Sequence, residues 1–145
     1  MRGAIATAAV CTLGILALPV QANEKPSEAY TKAMQDNGAA LQSLRTNIKA
    51  IEAAGAYPDY APVEKDIATL KASFATTLAF WQAKNVADAV KLAQAGAKAT
   101  ADVEAAMKDK DYRGLVAAST DLSETCTACH MAHRERLPDG TSEIK

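Results

Sequence analysis

The sequence predicts an all-α fold, an antiparallel up-down-up-down four-helix bundle, and three observations lead there. Alanine is abundant and β-branched residues are scattered, a composition that favours helix. Four stretches carry apolar residues at helical spacing, the primary signal for amphipathic helices. The breaks between them are short and rich in glycine, proline, asparagine and aspartate, which are turn residues. Four helices of similar length with short connections pack most simply as an up-down-up-down bundle.

Residues 1–22 read as a secretory signal peptide. Arg2 supplies the positive start, Ala4 to Leu18 the apolar centre, and Val20-Gln21-Ala22 the small residues of a cleavage site after Ala22. A membrane anchor fits less well, because a span needs ~20 apolar residues and Pro19 interrupts the run. Cleavage would remove Cys11 and leave only Cys126 and Cys129. It would also remove Arg2, so residues 23–145 carry 15 basic and 17 acidic residues, a net charge of −2. That balance points to neither a nucleic-acid binder nor a membrane-surface protein. Residues 23–145 are one domain by length.

The first helix should begin at Ser27, an N-cap after Pro26, with Tyr30, Met34, Leu41, Leu44, Ile48 and Ile51 on its buried stripe. Gly55 should end it, and Tyr57-Pro58-Asp59 should turn the chain. Pro62 should open the second helix, with Val63, Ile67, Leu70, Phe74, Leu78 and Trp81 inward. Asn85 reads as the N-cap of the third, with Asp88 at its N3 position. Its stripe is Val86, Val90, Ala93, Ala97, Thr100, Val103 and Met107, and Asp109 to Asp111 marks the next turn. The fourth helix is expected from about Tyr112 to Arg136, with Leu115, Ser119, Leu122, Cys126, Cys129 and His133 inward. Leu137-Pro138-Asp139-Gly140 should stop it. No stretch reads as a strand.

The chemistry sits late in the fourth helix, at Cys126-Thr127-Ala128-Cys129-His130. The pattern C-x-x-C-H marks covalent attachment of a c-type haem. Two thiols add across the two haem vinyl groups, and the neighbouring imidazole binds the iron. On a helix the three side chains stand at i, i+3 and i+4, on one side. Two rivals share these residues. A thioredoxin-like dithiol wants the pair at the start of a helix after a strand. A zinc site could use Cys126, Cys129, His130 and His133, but structural zinc usually draws its ligand pairs from two separated segments.

The bundle topology places the start of the first helix beside the end of the second, the start of the third and the end of the fourth. The walls at that level are then Tyr30, Met34, Phe74, Leu78, Trp81, Val86 and Val90. It also bears on a second iron ligand opposite His130. Met131 adjoins His130 and cannot reach the other face. Met107 lies ~25 Å away at 1.5 Å per residue. Met34 and His130 both lie ~10 Å from the same end of the bundle. Met34 is therefore either the sixth ligand or an ordinary core methionine. His133, three residues from His130, packs at or near the haem edge in this reading. Arg134 is a solvated helix-end cation or a partner for a haem propionate. Tyr30 and Trp81 are pocket walls.

These residues resemble the class II c-type cytochromes, the cytochrome c′ family, over the whole of 23–145. The likeness rests on Cys126-x-x-Cys129-His130-x-x-His133-Arg134 near the carboxyl end and on Tyr30-x-x-x-Met34 in the first helix. Members often carry arginine where this chain has Tyr30. The resemblance implies one covalent haem c. It also implies that methionine at position 34 gives a low-spin, six-coordinate electron carrier, whereas another apolar residue there gives a five-coordinate protein that binds NO or CO. Members are often dimeric, which adds a homodimer to the expected partners.

The expectation is a periplasmic protein, free of the membrane after cleavage, that exchanges single electrons with other periplasmic redox proteins through His130 and Met34. The alternatives are a gas-binding protein and a zinc-stabilised structural module. No serine or carboxylate constellation suggests an enzyme acting on an organic substrate.

Overall fold

A computed structural model describes residues 23–55 and 58–145. The expected leader and Tyr57 of the expected turn lie outside the described residues. The helices are α1 (Glu28–Ala54), α2 (Ala61–Lys84), α3 (Ala87–Lys108) and α4 (Tyr112–His133), followed by short strands β1 (Arg134–Arg136) and β2 (Ser142–Ile144). The chain is an all-α four-helix bundle: α1 packs on α2, α2 on α3, α3 on α4, and α1 also touches α4. Among the described residues, no helix is long and apolar enough to cross a membrane.

The helix ends follow local chemistry. The Ser27 side chain accepts a hydrogen bond from the Tyr30 backbone N–H at 3.2 Å, capping α1. Gly55 ends α1 at φ +60°, a left-handed value that glycine adopts without a Cβ penalty. Pro62 stands in the first turn of α2, where a missing N–H costs nothing. Asp111 caps α4 by accepting from Gly114 N–H at 3.0 Å.

Three expectations at the boundaries are corrected. Asn85 is not the N-cap of α3 but the left-handed C-cap of α2, at φ +56°, a conformation asparagine tolerates. Val86 caps α3 without a side-chain bond, so Asp88 sits one position earlier in the helix than expected. The fourth helix stops at His133 rather than Arg136. Arg134–Arg136 turns extended and pairs antiparallel with Ser142–Ile144, Arg134 opposite Ile144. Leu137-Pro138-Asp139-Gly140 is thus the turn of a hairpin. The single-helix reading failed because the pairing partner is supplied by residues that carry no strand periodicity of their own.

The expected stripes face inward. The main core joins Leu44, Ile48, Ile51, Val63, Ile67, Leu70, Phe74, Val103, Met107, Leu115 and Leu122. A second cluster at the other end holds Tyr30, Trp81, Ala89, Ala93 and Ile144, with Met34, Leu78, Val86 and Val90 against it. Buried hydroxyls on the stripes are satisfied within their own helices, as Thr77 donates to Ser73 C=O at 2.8 Å and Thr100 to Gly96 C=O at 2.9 Å. Gly96 lets α3 approach α2, because a Cβ there would run into the Phe74 ring.

Gly96→Ala should therefore destabilise the protein. Overpacking costs about 1–3 kcal/mol, against about 1 kcal/mol gained in helix propensity. A net fall of up to about 2 kcal/mol in urea unfolding is expected, and a gain in stability would refute the close-packing account.

Candidate functional site

Helix α4 delivers its functional residues on the face that its core residues define. Leu115, Ser119 and Leu122 are buried, and one to three further turns on the same stripe reach Cys126, Cys129 and His133. Cys126 and Cys129 are unpaired thiols, half-buried like His130.

Two adjoining cavities open along this face. The larger, about 460 Å³, is bounded by Tyr30, Met34, Cys129, His130, His133 and the carboxyl-terminal hairpin. The smaller, about 230 Å³, is bounded by Met34, Asn37, Leu41, Phe74, Cys126 and His130, among others. Met34, Cys129 and His130 line both. Cys126 lines only the smaller, and His133 and Arg134 only the larger.

The methionines separate as the bundle level predicts. Met107 is buried in the main core. Met131 points outward and is 74% exposed. Met34 alone of these three lines the cavities with His130.

Behind the lining lies an aromatic group: Tyr30 and His133 border the larger cavity, whereas Phe80 and the expected wall residue Trp81 border neither cavity. Tyr30 stacks on Phe80 with ring centres 4.0 Å apart, and its edge meets Trp81 at 5.9 Å. Trp81, 1% exposed, lies 5.0 Å from the His133 ring. Trp81 thus backs His133, which itself borders the larger cavity. The His133 Nε2 comes within 3.1 Å of Asp88 Oδ2, but the pair does not meet hydrogen-bond geometry. Trp81 Nε1 and Asn37 Oδ1 are likewise buried without partners. Asn37 and His133 line the cavities, and buried polar atoms normally find a partner.

The electrostatics favour neutral forms. Burial pushes the Cys129 thiol up to about 11, helped by Cys126 and Asp88. Burial also raises Cys126, offset in part by Arg45. Burial first, and Arg134 second, lowers His130, which keeps its imidazole neutral and able to bind a metal. Burial also raises the Tyr30 hydroxyl, with Cys129 nearby as the second cause. Reactive dithiols rely on lowered thiol values, so this environment opposes the thioredoxin-like reading.

Asn37 and Arg45 are among the contributors to the smaller cavity that were not singled out from the sequence. Both follow Met34 in helical phase, three and eleven residues on, and extending that stripe would have found them. Arg45 also hydrogen-bonds Ser123, tying α1 to α4. The hairpin's share of the larger cavity had no such signal.

Comparison with known proteins finds no matching family model, curated relative or solved structure. The functional reading therefore stands on the residues and their arrangement.

The raised thiols carry a sign. A thiol held above its ordinary value favours the neutral form in the folded state, so its stabilisation is complete below about pH 8.5. It is lost as pH rises through about 11. The haem-free chain should lose urea stability between about pH 8 and pH 11, and Cys129→Ser, which does not titrate there, should lose less. Equal losses in both chains would count against the buried-thiol environment.

Proposed function

We propose that this chain is a periplasmic c-type cytochrome of the cytochrome c′ kind, carrying one covalent haem c with His130 and Met34 as axial ligands. The observation that carries the reading is the convergence of Met34 from α1 with Cys129 and His130 from α4 on both cavities, with Cys126 beside them. An up-down-up-down path of the helices accounts for that convergence. The residues suit the group: two free thiols at the required spacing, a neutral imidazole between the cavities, an apolar lining from Leu41, Phe74 and Ala93, and buried polar atoms still lacking partners.

Bound there, haem c would supply a one-electron Fe(III)/Fe(II) couple. The chain's own residues do the rest. Cys126 and Cys129 would hold the group through thioether bonds, which would keep it from dissociating. His130 offers a neutral nitrogen ligand and Met34 a soft sulfur that favours the reduced iron. Tyr30 and the apolar stripe exclude water, which limits the solvent reorganisation each electron transfer requires. The leader pattern in residues 1–22 supports export, and other periplasmic redox proteins are the natural partners. In a second arrangement Met34 covers the iron without binding it, and the protein binds NO or CO. Its support is that Met34 is only half-buried and borders open space on both sides.

Expression with haem-attachment machinery should give a coloured product whose haem survives denaturation and organic extraction. Cys126→Ala together with Cys129→Ala should release it. A colourless product containing one zinc would overturn the proposal in favour of a structural zinc module.

Met34→Leu decides between carrier and gas binder, because it keeps most of the apolar volume and removes the sulfur. The ferrous wild type should be low-spin and bind CO slowly. The variant should be five-coordinate and high-spin, bind CO readily and have a lower reduction potential. A wild type that is high-spin in both oxidation states, with a spectrum unchanged by Met34→Leu, would leave only the gas-binding arrangement.

A further inference from the structure

The carboxyl-terminal hairpin is folded back onto the site rather than trailing away from it. Its turn is fixed locally: Leu137 N–H donates to Thr141 C=O at 2.9 Å, and Asp139 accepts from both the Thr141 N–H and its hydroxyl, at 2.9 and 2.6 Å. The β2 strand is then held on its other edge by Glu24, from the opposite end of the described chain. Glu24 N–H donates to Ile144 C=O at 2.9 Å, and Ile144 N–H returns the bond to Glu24 C=O at 2.8 Å. The Glu24 carboxylate also pairs with Lys84 at the end of α2. Lys145 N–H reaches His133 C=O at 3.2 Å. Ile144 anchors the assembly by burying its side chain among Tyr30, Trp81, Ala89 and Ala93.

This small sheet forms one wall of the larger cavity. Gly140–Ile144, Lys25 and Pro26 line it together with Met34 and His130. The wall is also the least secure part of the site. Three-residue strands with an exposed β1 have few buried contacts, and such segments open locally without unfolding the helices beneath them.

We infer that the carboxyl-terminal hairpin, clasped by Glu24, is a strap that closes the site and sets how fast small ligands reach the space between His130 and Met34. The inference rests on the haem reading for what lies behind the strap, while the clasp itself rests on the backbone pairing. Opening the strap requires breaking the paired Glu24–Ile144 bonds and withdrawing Ile144 from its cluster, with no change in α1 or α4.

The test uses the full holoprotein, hydrogen exchange and externally added imidazole as the ligand for ferric iron. Amide exchange at Ile144 should be protected in the wild type. Glu24→Pro deletes the donor to Ile144 C=O and should speed that exchange about fivefold, the scale of one net hydrogen bond. Glu24→Gln keeps the N–H and should change it less than about twofold, because its ion pair with Lys84 is partly exposed. A chain ending at Arg136 also loses Ile144 burial and should bind imidazole more than about tenfold faster. An Ile144 amide that exchanges at the unfolded-chain rate in the wild type overturns the clasp. Wild-type imidazole rates in the truncated chain overturn the gating role, even with haem attached. A colourless product overturns the haem reading and the ligand-entry role together, and exchange on that same product still decides whether the clasp exists.

Discussion

Helix α4 has one inward face, and both the core and the site must share it. The helical repeat that buries Leu115, Ser119 and Leu122 brings Cys126, Cys129 and His133 round to the same side. His130, one residue past Cys129, borders both cavities. Any change that rotated α4 to improve one set of contacts would misplace the other. The facing positions on α1 obey the same period, so Met34, Asn37 and Leu41 meet the site while Leu44, Ile48 and Ile51 continue into the core. The site is thus an extension of the bundle's packing, held by the contacts that stabilise the fold.

Close and loose packing adjoin here, because Phe74 both meets Gly96 and lines the smaller cavity. Around Phe74 and Gly96 the helices approach until no Cβ fits. At the Met34 end they leave two adjoining cavities and three buried polar atoms without partners. Empty space and unsatisfied polar groups both cost stability, so their concentration in one place marks where a bound group would be most stabilising. The electrostatics agree: burial keeps both thiols and the imidazole neutral. Neutral thiols lack the lowered values on which reactive dithiols rely.

The two ends of the described chain meet over this region. Glu24, the β1 segment and Ile144 form a sheet that no single segment could form alone. Its position against Tyr30 and Trp81 explains why the fourth helix ends at His133. Continuing the helix through Arg136 would carry the last residues away from the aromatic wall and leave that end of the cluster uncovered. Ending it there turns an exposed apolar surface into a buried contact for Ile144.

The sequence by itself determined the four helices, their inward stripes and the Cys126-Cys129-His130 grouping, because each depends on the 3.6-residue period and on residues close together in the chain. Ser27, Gly55 and Asp111 were readable as boundaries for the same reason: a cap is a local bond. Asn85 was misread because asparagine suits both an N-cap and a left-handed C-cap, and only the path of the chain into α3 chose between them. The tertiary structure alone decided that Arg45 joins Ser123 and that Asp88 comes beside His133. It alone decided that residues 134–144 form a hairpin over the site. Three-residue strands carry too little periodicity to be seen, and besides each other they depend on a partner more than a hundred residues away, in the pairing of Glu24 with Ile144.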